Sequence, residues 1–131
     1  MILGVGIDLI DVDRIARVND KYGEKFVART LSTEEKEIFD KIETKNKKDN
    51  FLAKRFSAKE SFLKALGIGL GRGIEFSDIS ITNDVYGKPE INLSKKAKNI
   101  IENLYKSTKI NFIISMTDEK NLVNTVTIIS N

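Results

Sequence analysis

Apolar residues run almost unbroken from Met1 to Ile10, interrupted only by Gly4, Gly6 and Asp8. Such a run reads as a buried strand that ends near Asp8. The period then changes: Val12, Ile15, Val18 and Tyr22 recur at helical spacing. This predicts a helix capped by Asp11 or Asp13 and stopped by Gly23. In LSTEEKEIF, Ser32 and Glu35 stand in capping-box register, predicting a second helix that buries Ile38, Phe39 and Ile42. ETKNKKDN lacks an apolar period and reads as a polar loop, whereas Phe51 to Leu66 gives the longest helix signal, with Gly67 as its stop. The glycine-rich IGLGRG reads as a surface connector. Ser77 to Thr82 alternates like a strand, NDVYGKP makes a turn, and Glu90 to Leu93 returns as its partner. Ser94 caps a helix through Ala97, Ile100, Ile101 and Leu104, and two strands follow, Ile110 to Met116 and Leu122 to Ile129, joined by a turn around TDEKN. The order predicts an α+β fold: one domain over residues 1–131, with a mainly antiparallel sheet packed against a long helix.

Composition narrows the chemistry more than any single motif does. The chain has 131 residues, 40% of them hydrophobic, with one proline, no cysteine and no histidine. A disulfide scaffold, a Ser-His-Asp triad, a cysteine nucleophile and an ordinary zinc site are all excluded. A metal here should be hard and oxygen-bound, and Mg²⁺ is the first candidate because it takes one or two carboxylates plus water and phosphate oxygens. The N-terminal run has no basic residue before Asp8, so it reads as neither signal peptide nor membrane span, and a cytoplasmic protein without a membrane partner is expected.

Net charge is +3, but the basic residues are concentrated. Lys41, Lys45, Lys47, Lys48, Lys54, Arg55, Lys59 and Lys64 face only Glu43, Asp49 and Glu60 over the same stretch. Such a run is either a solvated surface or a polyanion site. On a helical wheel, Leu52, Phe56, Phe62, Leu63 and Leu66 form one broad face, with Glu60 and Lys64 along its edge. Glu60 and Lys64 are an ordinary i,i+4 pair or an acid and a base at a core boundary. Lys59 falls inside the apolar face, where it needs a snorkelling route or an anionic partner. Asp8 reads as a strand-end aspartate or, together with Glu60, as a metal pair. Arg14, Arg17 and Lys21 share one stripe, either solvated or set to receive an acidic partner.

Four segments together resemble the holo-[acyl-carrier-protein] synthases of the 4′-phosphopantetheinyl transferase group. GIDLIDVDRI is similar to that family's first strand and helix, with Asp8 at the metal-binding aspartate. FSAKESFLKALG resembles its aromatic-x-x-Lys-Glu-x-x-x-Lys signature, and YGKPEI its Gly-Lys-Pro turn. RTLSTEE is similar to the segment before the signature helix. The resemblance implies Mg²⁺ held by Asp8 and Glu60, with Glu60 and Lys64 catalytic. It implies coenzyme A bound by Arg55, Lys59, Lys64, Lys88, Pro89, Ser115 and Thr117. The reaction implied is attack of a carrier-protein serine on the β-phosphorus of coenzyme A with release of 3′,5′-ADP, in fatty acid biosynthesis. Glu60 would take the serine proton, directly or through a metal-bound water. Arg14, Arg17 and Lys21, with Phe26 as an apolar anchor, would dock an acidic helix of the acyl carrier protein. A homotrimer with sites between subunits is also implied. One position departs from the pattern: Asp118 stands where the family's Ser-x-Ser-His carries histidine.

Two other functions compete. The basic stretch could serve nucleic-acid binding, but Phe51, Phe56 and Phe62 fall at core-facing helix positions and do not form a stacking platform, so no nucleic-acid partner is expected. Two carboxylates and a lysine could also direct water at a phosphate, as in a Mg²⁺-dependent phosphohydrolase.

Overall fold

A long helix and a three-stranded sheet meet at unusually short range, and small residues make this possible. In the computed structural model, which describes residues 1–70 and 72–131, strand β1 spans Ile2–Asp11 and the helix, α4, spans Lys45–Leu66. A Cβ on Gly4 would lie 2.0 Å from the Ala65 carbonyl oxygen, and one on Gly6 would lie 2.0 Å from that of Ser61. Only glycine fits where backbone meets backbone. Strand β5, Leu122–Ser130, crosses the same helix. There Ser57 and Thr125 share a hydroxyl hydrogen bond of 2.9 Å, and Ser61 and Thr127 one of 2.7 Å. Those hydroxyls are buried, and pairing removes the cost of desolvating them.

Between β1 and α4 lie three helices: α1 (Val12–Tyr22), α2 (Glu24–Thr30) and α3 (Thr33–Asp40). After α4, a 3₁₀ turn at Phe76–Asp78 leads into the hairpin β2 (Ile79–Asn83) and β3 (Pro89–Leu93). Helix α5 (Lys95–Tyr105) and strand β4 (Asn111–Glu119) precede β5. The larger sheet has the order β1-β5-β4 and is antiparallel throughout, as is the β2-β3 hairpin. Helix α4 divides the core. Phe62, Ile74, Ile79, Ile81 and Ile129 pack in one cluster, and Ile10, Ile15, Val27, Leu52 and Val123 in the other. The expected α+β class with an antiparallel sheet on a long helix is the observed one.

Several expected caps are present. Asp11 caps α1, Gly23 ends it at positive φ, Ser32 and Glu35 complete their capping box, and Ser94 caps α5. Other boundaries move. Helix α4 begins at Lys45, so ETKNKKDN is mostly helix: Thr44 accepts from the Lys47 amide, and Asp49 ties to Lys45 and Asn19. Helix α2 had no counterpart in the sequence reading. Ile38 points outward from α3, whereas Phe39 is buried. Strand β4 continues to Glu119, and the hairpin closes over Lys120 and Asn121 with Lys120 at φ 54°. The connector 68–73 contains Gly71, which lies outside the described residues. Among the described residues no helix is long and apolar enough to cross a membrane.

Candidate active site

Because β1 runs on to Asp11, Asp8 sits within the strand and on its inner face, two residues beyond Gly6 and opposite Thr125. The glycines that let α4 approach therefore also bring Asp8 against the turn of helix carrying Glu60 and Lys64. The Lys64 amine donates to Asp8 Oδ1 at 2.9 Å and to the Ile7 carbonyl at 3.1 Å. Asp8 Oδ2 is buried and has no hydrogen-bond partner. Glu60, one turn before Lys64, is half-buried, and its pKa is pushed above the ordinary glutamate value, first by burial and then by the charge of Asp8. Lys64 and Arg14 pull it back down.

Two carboxylates thus share a protected corner with one lysine in direct contact. A buried carboxylate oxygen without a donor costs free energy. Burial first, and the charge of Asp8 second, disfavour a second anion at Glu60. Both features suit a hard divalent cation. Among the described residues no cluster of three acidic groups could enclose a metal, so a cation here would keep most of its coordination for water and ligand oxygens, as Mg²⁺ commonly does.

The model of the 4′-phosphopantetheinyl transferase superfamily matches residues 4–120, which include Asp8, Glu60 and Lys64. The chain belongs to that superfamily. Among its relatives, the holo-[acyl-carrier-protein] synthase of Wigglesworthia glossinidia brevipalpis is 42% identical over 123 residues, covering 91% of this chain and 85% of the relative. The crystal structure of the Neisseria meningitidis holo-[acyl-carrier-protein] synthase is 35% identical, with a TM-score of 0.90 and full coverage of both chains. The Helicobacter pylori synthase solved in complex with coenzyme A is 27% identical, with a TM-score of 0.78 over 96% of this chain and 99% of that one. The chain is therefore a transferase of the holo-[acyl-carrier-protein] synthase type.

In this transferase the other expected site residues are dispersed. Lys59 is wholly enclosed: its amine donates to Glu35 Oε2 at 2.5 Å, the Thr30 carbonyl at 2.6 Å and the Phe76 carbonyl at 2.9 Å. Burial pushes its pKa down to about 8 against the opposing pull of Glu35. All three protons are engaged, so the expected contact between Lys59 and coenzyme phosphate does not fit this placement. Arg55 also turns away from Asp8. Its guanidinium stacks 4.4 Å above the Phe51 ring, with Nε buried, without a hydrogen-bond partner and 3.8 Å from Glu35. The reason is helical phase: Arg55 and Lys59, four residues apart, share a face that Glu60 and Lys64 do not.

Ser115 and Thr117 pair with Val126 and Asn124, alternating with the inward Ile114 and Met116. They are exposed on the outer face of the sheet, opposite the face carrying Asp8. Lys88 and Pro89 border a groove with Asn111 to Ile114, nearer the start of β4 than Met116, which lies level with Asp8 across β5. Within one chain neither pair joins the Asp8 corner. Asp118 is bound by Lys54 at 3.3 Å. Arg14, Arg17 and Lys21 are exposed on α1, and Phe26 is half-buried against Phe56, their ring centroids 6.1 Å apart. Sequence reasoning missed Glu35 as the partner of Lys59. The available signal was a lysine inside an apolar face that needed an anion.

Proposed function

We propose that the enzyme transfers the 4′-phosphopantetheine group of coenzyme A to a serine of apo acyl carrier protein, releasing 3′,5′-ADP, with Mg²⁺ held by Asp8 and Glu60. The observation that carries this reading is the partnerless, buried Asp8 Oδ2 beside a Glu60 whose pKa is raised. When bound, Mg²⁺ neutralises the diphosphate. The carrier serine oxygen forms a bond to the β-phosphorus, and the bond from that phosphorus to the bridging oxygen breaks, leaving 3′,5′-ADP. Glu60 takes the serine proton, for which a raised pKa is suitable. Lys64 is half-exposed with its amine at Asp8, placed to stabilise the leaving phosphate. Phosphoryl transfer needs mainly alignment and charge stabilisation, and these residues offer both without histidine.

The carrier protein docks on Arg14, Arg17 and Lys21, with Phe26 as the apolar contact. The enzyme works as a homotrimer in the cytoplasm and serves fatty acid biosynthesis. Support for the trimer comes from the outer sheet face, where Val5, Ile7, Leu9 and Ile113 are each more than half exposed. An apolar face of this kind marks an interaction site. Ser115 and Thr117 lie on the same face, so copies packed there bring those hydroxyls toward the coenzyme of a neighbouring subunit, while Lys88 and Pro89 reach it from the groove beside Asn111 to Ile114.

Intact-mass spectrometry of an apo carrier protein incubated with enzyme, coenzyme A and Mg²⁺ tests the reading. A gain of one phosphopantetheinyl group that disappears when the divalent cation is chelated is the expected result. Release of 3′,5′-ADP with the carrier unmodified would make the enzyme a phosphohydrolase instead.

A further inference from the structure

We propose that Lys59 is a positioning residue for carrier recognition, holding the two walls of the docking groove together from beneath. The inference rests on the carrier reading above. The three acceptors of the Lys59 amine belong to three different segments: Thr30 ends α2, Phe76 opens the 3₁₀ turn, and Glu35 lies in the first turn of α3. Thr30 and Phe76 also line an open groove of about 610 Å³, together with Phe26, Arg29, Phe56 and Leu70. Phe56, one turn before Lys59 on α4, forms its floor. The Phe56 ring lies 6.1 Å from that of Phe26 and meets Phe76 edge-on at 5.2 Å.

The amine is fully buried, so it acts on any partner only through the backbone it holds. Helix α2 has seven residues, and a helix that short has little stability of its own. Its position depends on anchoring, and the amine fixes its last carbonyl to the same point as the opposite wall. An apolar side chain in place of Lys59 would fill the space without joining the two carbonyls. Burying an ion pair is commonly no better for stability than well-packed hydrophobic residues, so geometry is the stronger reason to keep a donor there. The groove is lined by exposed Arg29 and Glu75 as well as by Phe26, and the exposed Arg14, Arg17 and Lys21 of α1 supply the cationic excess, matching a partner helix with acidic and apolar residues.

Lys59→Met leaves Glu35 buried with only the more distant Arg55, at 3.8 Å, as a cation, so the test uses the paired variant E35Q/K59M, in which neither position carries a charge, together with Phe26→Ala. Folding is checked by circular dichroism and thermal melting, and steady-state kinetics are measured with each substrate varied. The expected result for E35Q/K59M is a rise of about ten-fold in KM for the carrier, equivalent to ~1.4 kcal/mol of docking, with KM for coenzyme A and kcat at saturating carrier near wild type. Adding Phe26→Ala should then raise carrier KM by less than it does in the wild-type background, because the two act on one groove. A folded E35Q/K59M with wild-type carrier KM overturns the proposal, as does a rise confined to coenzyme A. A wild-type enzyme that modifies no carrier removes the underlying reading, which is a different failure.

Discussion

Helix α4 presents two lysine–carboxylate pairs, on different faces and with opposite degrees of completion. At Lys59 the account is closed: three protons meet three acceptors, and Glu35 takes further hydrogen bonds from the Ser32 and Ile81 amides. At Lys64 it is open. The amine is half-exposed, one Asp8 oxygen has no donor, and Glu60 brings a second carboxylate that burial and Asp8 disfavour as an anion. The first arrangement fixes a structure, and the second leaves unmet demand for positive charge, which is what a substrate–metal complex can satisfy. The same residue types in the same helix are thus separated by how completely their hydrogen bonds are met.

Stability should divide the two pairs most sharply. Glu35→Ala strands a fully buried ammonium, which should cost about 3–5 kcal/mol. Asp8→Ala should change stability by less than ~1 kcal/mol because Lys64 reaches water. Urea unfolding of the two variants measures the contrast, and equal losses would erase the distinction. Turnover should divide them the other way. Glu60→Gln and Lys64→Ala should each lower kcat at least ~10²-fold, the lower range for lost acid–base assistance. Near-normal turnover in either would remove that residue from the mechanism. A cation effect comes next: Mg²⁺ at about a hundred times its dissociation constant should stabilise the wild type by ~2.7 kcal/mol. Asp8→Asn should abolish that gain, and a gain retained in Asp8→Asn would place the ion elsewhere.

How far this contrast could be read from the sequence depended on range. Caps and stops are local, so Ser32 with Glu35, Ser94, Gly23 and Gly67 marked helix ends correctly. Neither helix α2 nor the first turns of α4 carry a full apolar stripe, so periodicity does not reveal them. The former is held by Val27, Thr30 and the Lys59 amine, and the latter by Thr44 and the Asp49 bonds. The helical wheel places Glu60 and Lys64 together, but the residues leave Asp8 open between a strand-end aspartate and a metal pair with Glu60, and only the family resemblance chooses, since nothing local states which strand lies against a helix. Gly4 and Gly6 held that information in steric form. The wheel also puts Lys59 inside the apolar face and asks for an anionic partner there without showing that it is Glu35, while the phosphate role of Lys59 is implied only by the resemblance.

The smallest expected effect tests whether Glu60 is truly strained in the absence of a cation. Its folded pKa lies above the ordinary glutamate value. Between those two values the folded enzyme keeps a proton that the unfolded chain has lost, so stability falls as pH rises across the window. Below the window both states are protonated and the penalty vanishes, while above it the penalty is constant. Glu60→Gln cannot titrate there, so subtracting its unfolding free energy cancels most other groups. Measured in chelator from pH 4 upward, the wild type should lose stability relative to Glu60→Gln and then level off. Saturating Mg²⁺ should reverse the trend, because the ion favours the charged carboxylate that burial and Asp8 oppose. A difference that stays flat with pH in chelator would mean that Glu60 is relaxed as an anion, and the open pair would then differ from the closed one only in exposure.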